Sequence, residues 1–265
     1  MALEPTGERM IVEHFQSSLE DYLLYVMHIA GYRFAELHAH GKRILDYGCG
    51  SGYGAARLAE AAQQVCGVDV DEEAVAHARL NFGKPNLRFE RVGAAERLPY
   101  ADRAFDTVLS FQVFEHVSDT VHYLSEVRRV LAPQGILLLI TPDRRRRLLP
   151  LQKPWNRWHV REYDPRTLQR TLSPFFRQVE MLQMSGRREV IDAELRRGRR
   201  LKWLCLPATL PFIPERLRFR LLSAPDVLRG KRSHAAPRRF DFDESAIDIG
   251  PGLEPSLNLV AVARG

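Results

Sequence analysis

The chain has 265 residues, of which 45% are hydrophobic, and a net charge of +6. That is enough apolar material for one large core with a smaller subdomain, and it excludes a disordered tail or a small disulfide scaffold. Residues 1–9 are polar with no apolar stretch after them, and the longest apolar candidate, residues 201–213, is short and broken by Pro207 and Pro211, so no signal peptide or membrane span is expected.

Taken in chain order, Leu19, Leu23, Val26, Met27, Ala30, Phe34 and Leu37 recur at helical spacing and predict a helix over residues 17–38. Strand and helix patterns then alternate. Strand 43–47 leads to helix 53–62, and strand 64–69 to helix 71–81. Strand 87–92, strand 105–110 and helix 118–131 follow, and residues 135–141 form a continuous apolar run of the kind covered on both faces. The alternation predicts an α/β fold with a doubly wound, mostly parallel sheet.

After Pro142 the rhythm breaks. Arg144–Arg147 reads as a solvated loop, and residues 150–165 are rich in Trp, His and Arg. Helix 165–172 and strand 176–182 resume the pattern, residues 186–250 read as an insertion, and an apolar strand spans 257–263. The expected organisation is a helical cap over 1–39, a Rossmann-like domain over 40–184 and 257–265, and a basic helical lid over 185–256. Residues 187–239 hold 15 Lys and Arg against 5 Asp and Glu, whereas the remainder of the chain is net acidic at −4. The basicity is therefore regional. Within it, residues 201–222 mix Trp, Phe and Leu with Arg216, Arg218 and Arg220, the composition either of a lid packed on the main domain or of a helix meeting anionic lipid. Cys49, Cys66 and Cys205 are odd in number and lack metal-ligand spacing, which fits a reduced, cytoplasmic protein, at most peripheral at the inner membrane, with no metal site.

The densest chemical signal is Asp46-Tyr47-Gly48-Cys49-Gly50-Ser51-Gly52-Tyr53-Gly54 at the tip of the first strand. Glycines let a ligand approach the main chain, and the free N–H groups of the following helix face whatever lies over the loop. A dinucleotide fold carries Gly-x-Gly-x-x-Gly behind an uncharged strand. Here Asp46 stands at the tip, and a carboxylate suits a cationic ligand portion better than a pyrophosphate. Asp69 follows Gly48 by 21 residues at the end of the second strand, where an acidic side chain can accept both ribose hydroxyls. A helix N-cap is its other reading, but Asp71 is the better cap. Tyr47 and Tyr53 read as loop packing, and Cys49 as a cofactor-loop residue more than a nucleophile.

With these residues the chain resembles class I S-adenosylmethionine-dependent methyltransferases. Gly93-Ala94-Ala95-Glu96-Arg97-Leu98-Pro99 looks like the adenine-side loop, residues 105–117 like the fourth strand with its Glu-His-Val continuation, and residues 131–135 like the turn before strand five. The resemblance implies a seven-stranded sheet and S-adenosylmethionine as cofactor, held by Asp46, Gly48, Cys49, Gly50, Gly52, Asp69, Val70, Ala94, Ala95, Glu96, Phe111 and Gln112. Ala94 departs from the family's usual Asp, leaving the adenine amino group to the Ala95 N–H or to Glu96. A narrower similarity, through Thr6–Met10, His28, Tyr32–Ala35 and Asn156, His159–Tyr163, is to bacterial methyltransferases of glycan and surface-polysaccharide assembly, in which Gly31 is usually Arg.

The resemblance implies methyl transfer to a small molecule or a lipid-linked sugar. An alcohol acceptor calls for a general base, and His116 or His159 fits that task, each with packing in an aromatic cluster as its plainer alternative. A nucleic-acid methyltransferase is the competing class, allowed by the basic region but opposed by Ser110-Phe111-Gln112-Val113, which lacks the Asn/Asp-Pro-Pro-aromatic loop of enzymes that methylate base amino groups. A binding protein that holds cofactor without turnover is the third.

Overall fold

The computed structural model describes residues 18–229 and 240–265. The motif at Thr6–Met10, the start of the helical cap, and residues 230–239 of the basic segment lie outside the described residues. Helix α1 spans Leu19–Glu36 and starts at Ser18, whose Oγ accepts the Asp21 N–H at 3.1 Å. The alternation that follows is β1 (Arg43–Tyr47), α2 (Tyr53–Leu58), β2 (Gln64–Asp69), α3 (Glu72–Asn81), β3 (Leu87–Arg91), β4 (Phe105–Phe111), α4 (Thr120–Val130) and β5 (Leu131–Pro142). Asp71 caps α3 by accepting the Glu73 and Ala74 N–H groups, as its position predicts, and Asp119 caps α4.

Beyond β5 come α5 (Arg144–Arg147), α6 (Pro165–Leu172), β6 (Gln178–Gly186), α7 (Arg188–Leu204), α8 (Glu215–Arg229), β7 (Ile247–Gly250) and β8 (Asn258–Arg264). Helix α6 begins on a capping box between Asp164 and Thr167 with Pro165 in its first turn. The strands form one sheet in the order β3-β2-β1-β4-β5-β8-β6-β7. Strands β1 to β5 pair in parallel, while β8 runs antiparallel between β5 and β6. The seven expected strands are all present. Strand β7 adds an eighth at the edge, pairing Ile247 with Gly186 and Gly250 with Gln183.

Side chains of the central strands alternate between two cores. Ile44, Leu109, Leu138 and Val260 face a layer made by α1, α2, α3 and α7, including Leu23, Leu58, Val75 and Ile191. Leu45, Val108, Leu137 and Leu259 face a layer from α4 and α6, including Leu124, Val127, Leu168 and Leu172. Burial on both sides explains why β5 and β8 read as unbroken apolar runs. Truncating one of these side chains, such as Leu138→Ala, costs about 2–5 kcal/mol. Strand order reverses between β1 and β4, so the carboxyl ends of these strands open a crevice at the switch point. Among the described residues no helix is long and apolar enough to cross a membrane.

Candidate functional site

Backbone geometry builds the loop after β1. Gly48 has φ +93°, and a Cβ there would stand 2.2 Å from the Val113 side chain. Gly50 also has positive φ but faces open space, so the main chain lies bare at this point. Gly54 serves packing: a Cβ on it would fall 1.9 Å from the Tyr32 ring, which lies across the start of α2. Tyr32 comes from α1 and donates its hydroxyl to Asp46 Oδ2 at 3.0 Å. Asp46 is fully buried, and its Oδ1 has no hydrogen-bond partner. Burial pushes its carboxyl up to about 7, against the Tyr32 hydrogen bond, with Asp69 adding repulsion. A buried carboxylate oxygen without a partner beside an open glycine loop fits a cationic ligand.

Asp69 closes the loop as well as facing it: Oδ2 accepts the Gly50 N–H at 2.8 Å and Oδ1 the Asp71 N–H at 3.0 Å. Burial raises its carboxyl, and these N–H groups oppose the shift. Cys49 is buried, its thiol pushed up first by burial and then by Asp46 and Asp69, which suits a packing residue and not a nucleophile. Val70 is exposed at the mouth. Ala94, Ala95 and Glu96 form an exposed turn, and Glu96 folds back so that Oε2 accepts the Gly93 N–H at 2.9 Å. Its carboxylate is thus part of the turn's own frame. Phe111 is buried against the Tyr32 ring, and Gln112 holds a left-handed φ of +56°, the kind of strain that gathers at functional sites. Gly31 faces Ile140 closely enough that a Cβ would sit 2.8 Å from its Cδ1, so a side chain at this position requires Ile140 to shift.

A small cleft of about 50 Å³ is walled by His28, Gln112, Arg147, Glu194, Gly198 and Asn258 among others. Helix α1 contributes Leu24, Met27 and His28 to its wall. His28 Nδ1 lies 3.3 Å from the Tyr53 hydroxyl, and the Tyr53 ring packs on Tyr32. Burial lowers the His28 imidazole to about 4, so it is neutral near pH 7. Tyr47 stacks on Tyr123 and Tyr53 is enclosed by Tyr25 and Tyr32, both as packing residues.

The structure brings His116 and His159 together, with ring centroids 4.8 Å apart at 84°. His116 ends the 3-10 turn Phe114–His116 after β4, and His159 descends from the loop before α6. His116 Nδ1 lies 3.1 Å from the Trp158 carbonyl and His159 Nδ1 lies 2.8 Å from Glu162 Oε1. Both partners are acceptors, so each Nδ1 carries a proton. Burial alone would raise the Glu162 carboxyl, but Arg147 and His159 outweigh it and hold it at about 2. Glu115 lies in the same place: Oε2 accepts the Thr141 hydroxyl at 2.9 Å, and Oε1 is buried without a partner. Arg147, which holds Glu162, and Pro142, the neighbour of Thr141, line the cleft.

Two sequence expectations change. Arg144–Arg147 is no solvated loop: Arg144 donates to the Leu149 and Gln152 carbonyls, Arg145 and Arg146 pair with Glu254, and Arg147 Nε donates to Glu162 at 3.0 Å. Arg218 does not belong with a solvent-facing row. It is buried and donates to the carbonyls of Pro154, Asn156, Arg157 and His159. A buried guanidinium satisfies several carbonyls that the loop has no secondary structure to pair. Tyr32, His28, Glu115 and Asn258 carried no assigned role in the sequence. The available signal was local for two of them, since His28 and Tyr32 lie one helical turn apart on α1.

Comparison with known proteins places these observations. A methyltransferase-domain family matches residues 45–139. The chain is 36% identical over 163 residues to a probable S-adenosylmethionine-dependent methyltransferase of Mycolicibacterium smegmatis, covering 62% of this chain and 61% of that protein. It is 32% identical over 270 residues to a probable S-adenosylmethionine-dependent methyltransferase of Mycobacterium tuberculosis, covering 97% of this chain and 88% of that protein. It is 41% identical over 105 residues to a ubiquinone biosynthesis O-methyltransferase of Dinoroseobacter shibae, covering 39% of this chain and 42% of that protein.

Proposed function

Because this chain belongs to the S-adenosylmethionine-dependent methyltransferases, we propose that it methylates an oxygen of a small molecule or a lipid-linked sugar held in the cleft under α7. S-adenosylmethionine supplies an electrophilic methyl on a sulfonium, and the protein contributes alignment and exclusion of water. The observation that carries the reading is the unpartnered buried Asp46 oxygen at the base of the positive-φ glycine loop. Asp46 and the bare Gly50 main chain take the cationic and polar end of the cofactor, and Gly48 and Gly52 shape the loop with Cys49 beneath it. Asp69 with Val70 faces the ribose, Ala94, Ala95 and Glu96 line the adenine end, and Phe111 and Gln112 floor the passage to the cleft.

The cluster of Glu115, His116 and His159 serves the acceptor's hydroxyl. One imidazole takes the proton, and His116 is the less buried of the two. Oxygen as the reacting atom accords with the likeness to an O-methyltransferase.

The lid's outer face supports a lipid-linked acceptor: Trp203, Leu204, Phe212, Leu217 and Leu221 are exposed alongside Arg216 and Arg220. Such a face binds anionic headgroups. Transfer of tritiated methyl into fractionated lipids, glycans and small metabolites of the host cell tests the whole reading. Label in a glycolipid or sugar fraction is expected; label confined to nucleic acid would overturn it.

A further inference from the structure

The residues gathered around His116 form more than a proton acceptor. Glu115, His116 and His159 each offer one ligand atom, and these atoms lie within 4.8 Å of one another. The donor set is two imidazoles and one carboxylate. Glu115 Oε1 is buried with no hydrogen bond, an arrangement that a protein otherwise avoids for a carboxylate. Both rings are turned by outer partners: the Trp158 carbonyl sets His116 through Nδ1, and Glu162, itself held by Arg147, sets His159 through Nδ1. Carboxylate or carbonyl acceptors behind the far nitrogen are the usual support of a metal-ligating histidine.

We propose that Glu115, His116 and His159 form a binding site for one first-row divalent cation of the Zn2+ or Mn2+ kind. Mixed imidazole and carboxylate ligands favour such cations over Mg2+ or Ca2+, which take oxygen. Nitrogen and oxygen ligands hold such an ion at roughly 2.0–2.2 Å, and the three atoms close on it from their present spacing within 4.8 Å. Three protein ligands leave coordination positions open, at which the cation would hold and acidify an acceptor hydroxyl. This part rests on the reading of the cluster as the group serving the acceptor, and it narrows the histidines' role from taking the proton to holding the ion.

The site is tested by titrating Zn2+ into protein stripped with a chelator, using calorimetry in the absence of any acceptor. One equivalent is expected to bind. His116→Ala, at a half-buried position, and Glu115→Gln, which keeps an acceptor for the Thr141 hydroxyl, should each weaken binding at least tenfold without lowering Tm by more than a few degrees. His122→Ala, outside the cluster, should leave it unchanged. Absence of Zn2+ uptake, or uptake that both cluster variants leave intact, overturns the site. Loss of Zn2+ binding in His116→Ala with undiminished methyl transfer keeps the cation site and overturns the role of the cluster in serving the acceptor.

Discussion

The cofactor loop and the lid over the cleft are built by opposite means. The loop is local: residues 46–54 shape it through glycine torsions, with Asp69 closing it by one bond to Gly50. The lid is assembled from distant pieces by long side chains reaching main-chain carbonyls. Arg218 on α8 ties down residues 154–159, Gln152 donates to the Lys202 carbonyl and Thr209 Oγ1, and Lys153 donates to the Ile213 carbonyl at 2.6 Å. The lesson is that the loop carrying His159 is held by Arg218, a charge that reads as surface in the sequence and is buried scaffolding in the fold. His159 sits on that loop, so its position depends on residues more than 50 places further along.

The comparison breaks most sharply at Gly48. Gly48→Ala would combine a left-handed φ with a clash against Val113, a cost of about 1–3 kcal/mol or more. Loss of measurable S-adenosylmethionine binding by calorimetry, with a lowered denaturation midpoint, is expected. Arg218→Ala should do the reverse. It leaves carbonyls of residues 154–159 without their donor, destabilising the lid by about 1–3 kcal/mol. Methyl transfer should fall at least tenfold while cofactor affinity stays unchanged; a parallel loss of affinity would show that loop and lid are one unit.

Asp46 gives the pH dependence that belongs to the loop alone. Its folded pKa of about 7 lies above the unfolded value, so the cofactor-free protein holds this proton more tightly than the unfolded chain does. The associated stability is present at low pH and is lost as pH rises through 7. A cationic ligand favours the ionised form, so binding should release a proton near pH 6 to 7 and tighten as pH rises. Calorimetry in two buffers of different ionisation enthalpy measures this, and Asp46→Asn should abolish it. Glu162 on the lid side has the opposite sign: held at about 2, it contributes stability above its ordinary value that is lost as pH falls toward 2. The smallest effect is expected for Arg216→Gln with Arg220→Gln, exposed residues whose removal should change stability by under about 0.5 kcal/mol. Flotation with anionic vesicles should nonetheless be reduced.

Legibility in the sequence follows the same division. The β1 loop, the Asp71 cap and the continuous runs of β5 and β8 could be read because each signal is a local torsion, cap or period. Helix 53–62 is read too long, since α2 leaves the helix after Leu58 for a turn. Strand β7 escapes because four residues carry too short an alternation and depend on β6 for their pairing. The arginine run misleads for another reason: charge shows in a sequence, but the partner Glu254 lies more than 100 residues away. His116 and His159 could be named singly, while their contact and the unpartnered Glu115 oxygen arise only when the lid loop folds over β4.

Strand β8 has a consequence for how the molecule is made. It is the last of the described strands to be synthesised, yet it fills a central place between β5 and β6. While the chain is still emerging from the ribosome, those two strands wait with facing edges unpaired, the condition under which sheets join to the wrong neighbour. The loop after β1 draws its contacts from residues no later than Val113, whereas Asn258 and Leu257 complete the wall of the cleft, so the cleft waits for the last strand.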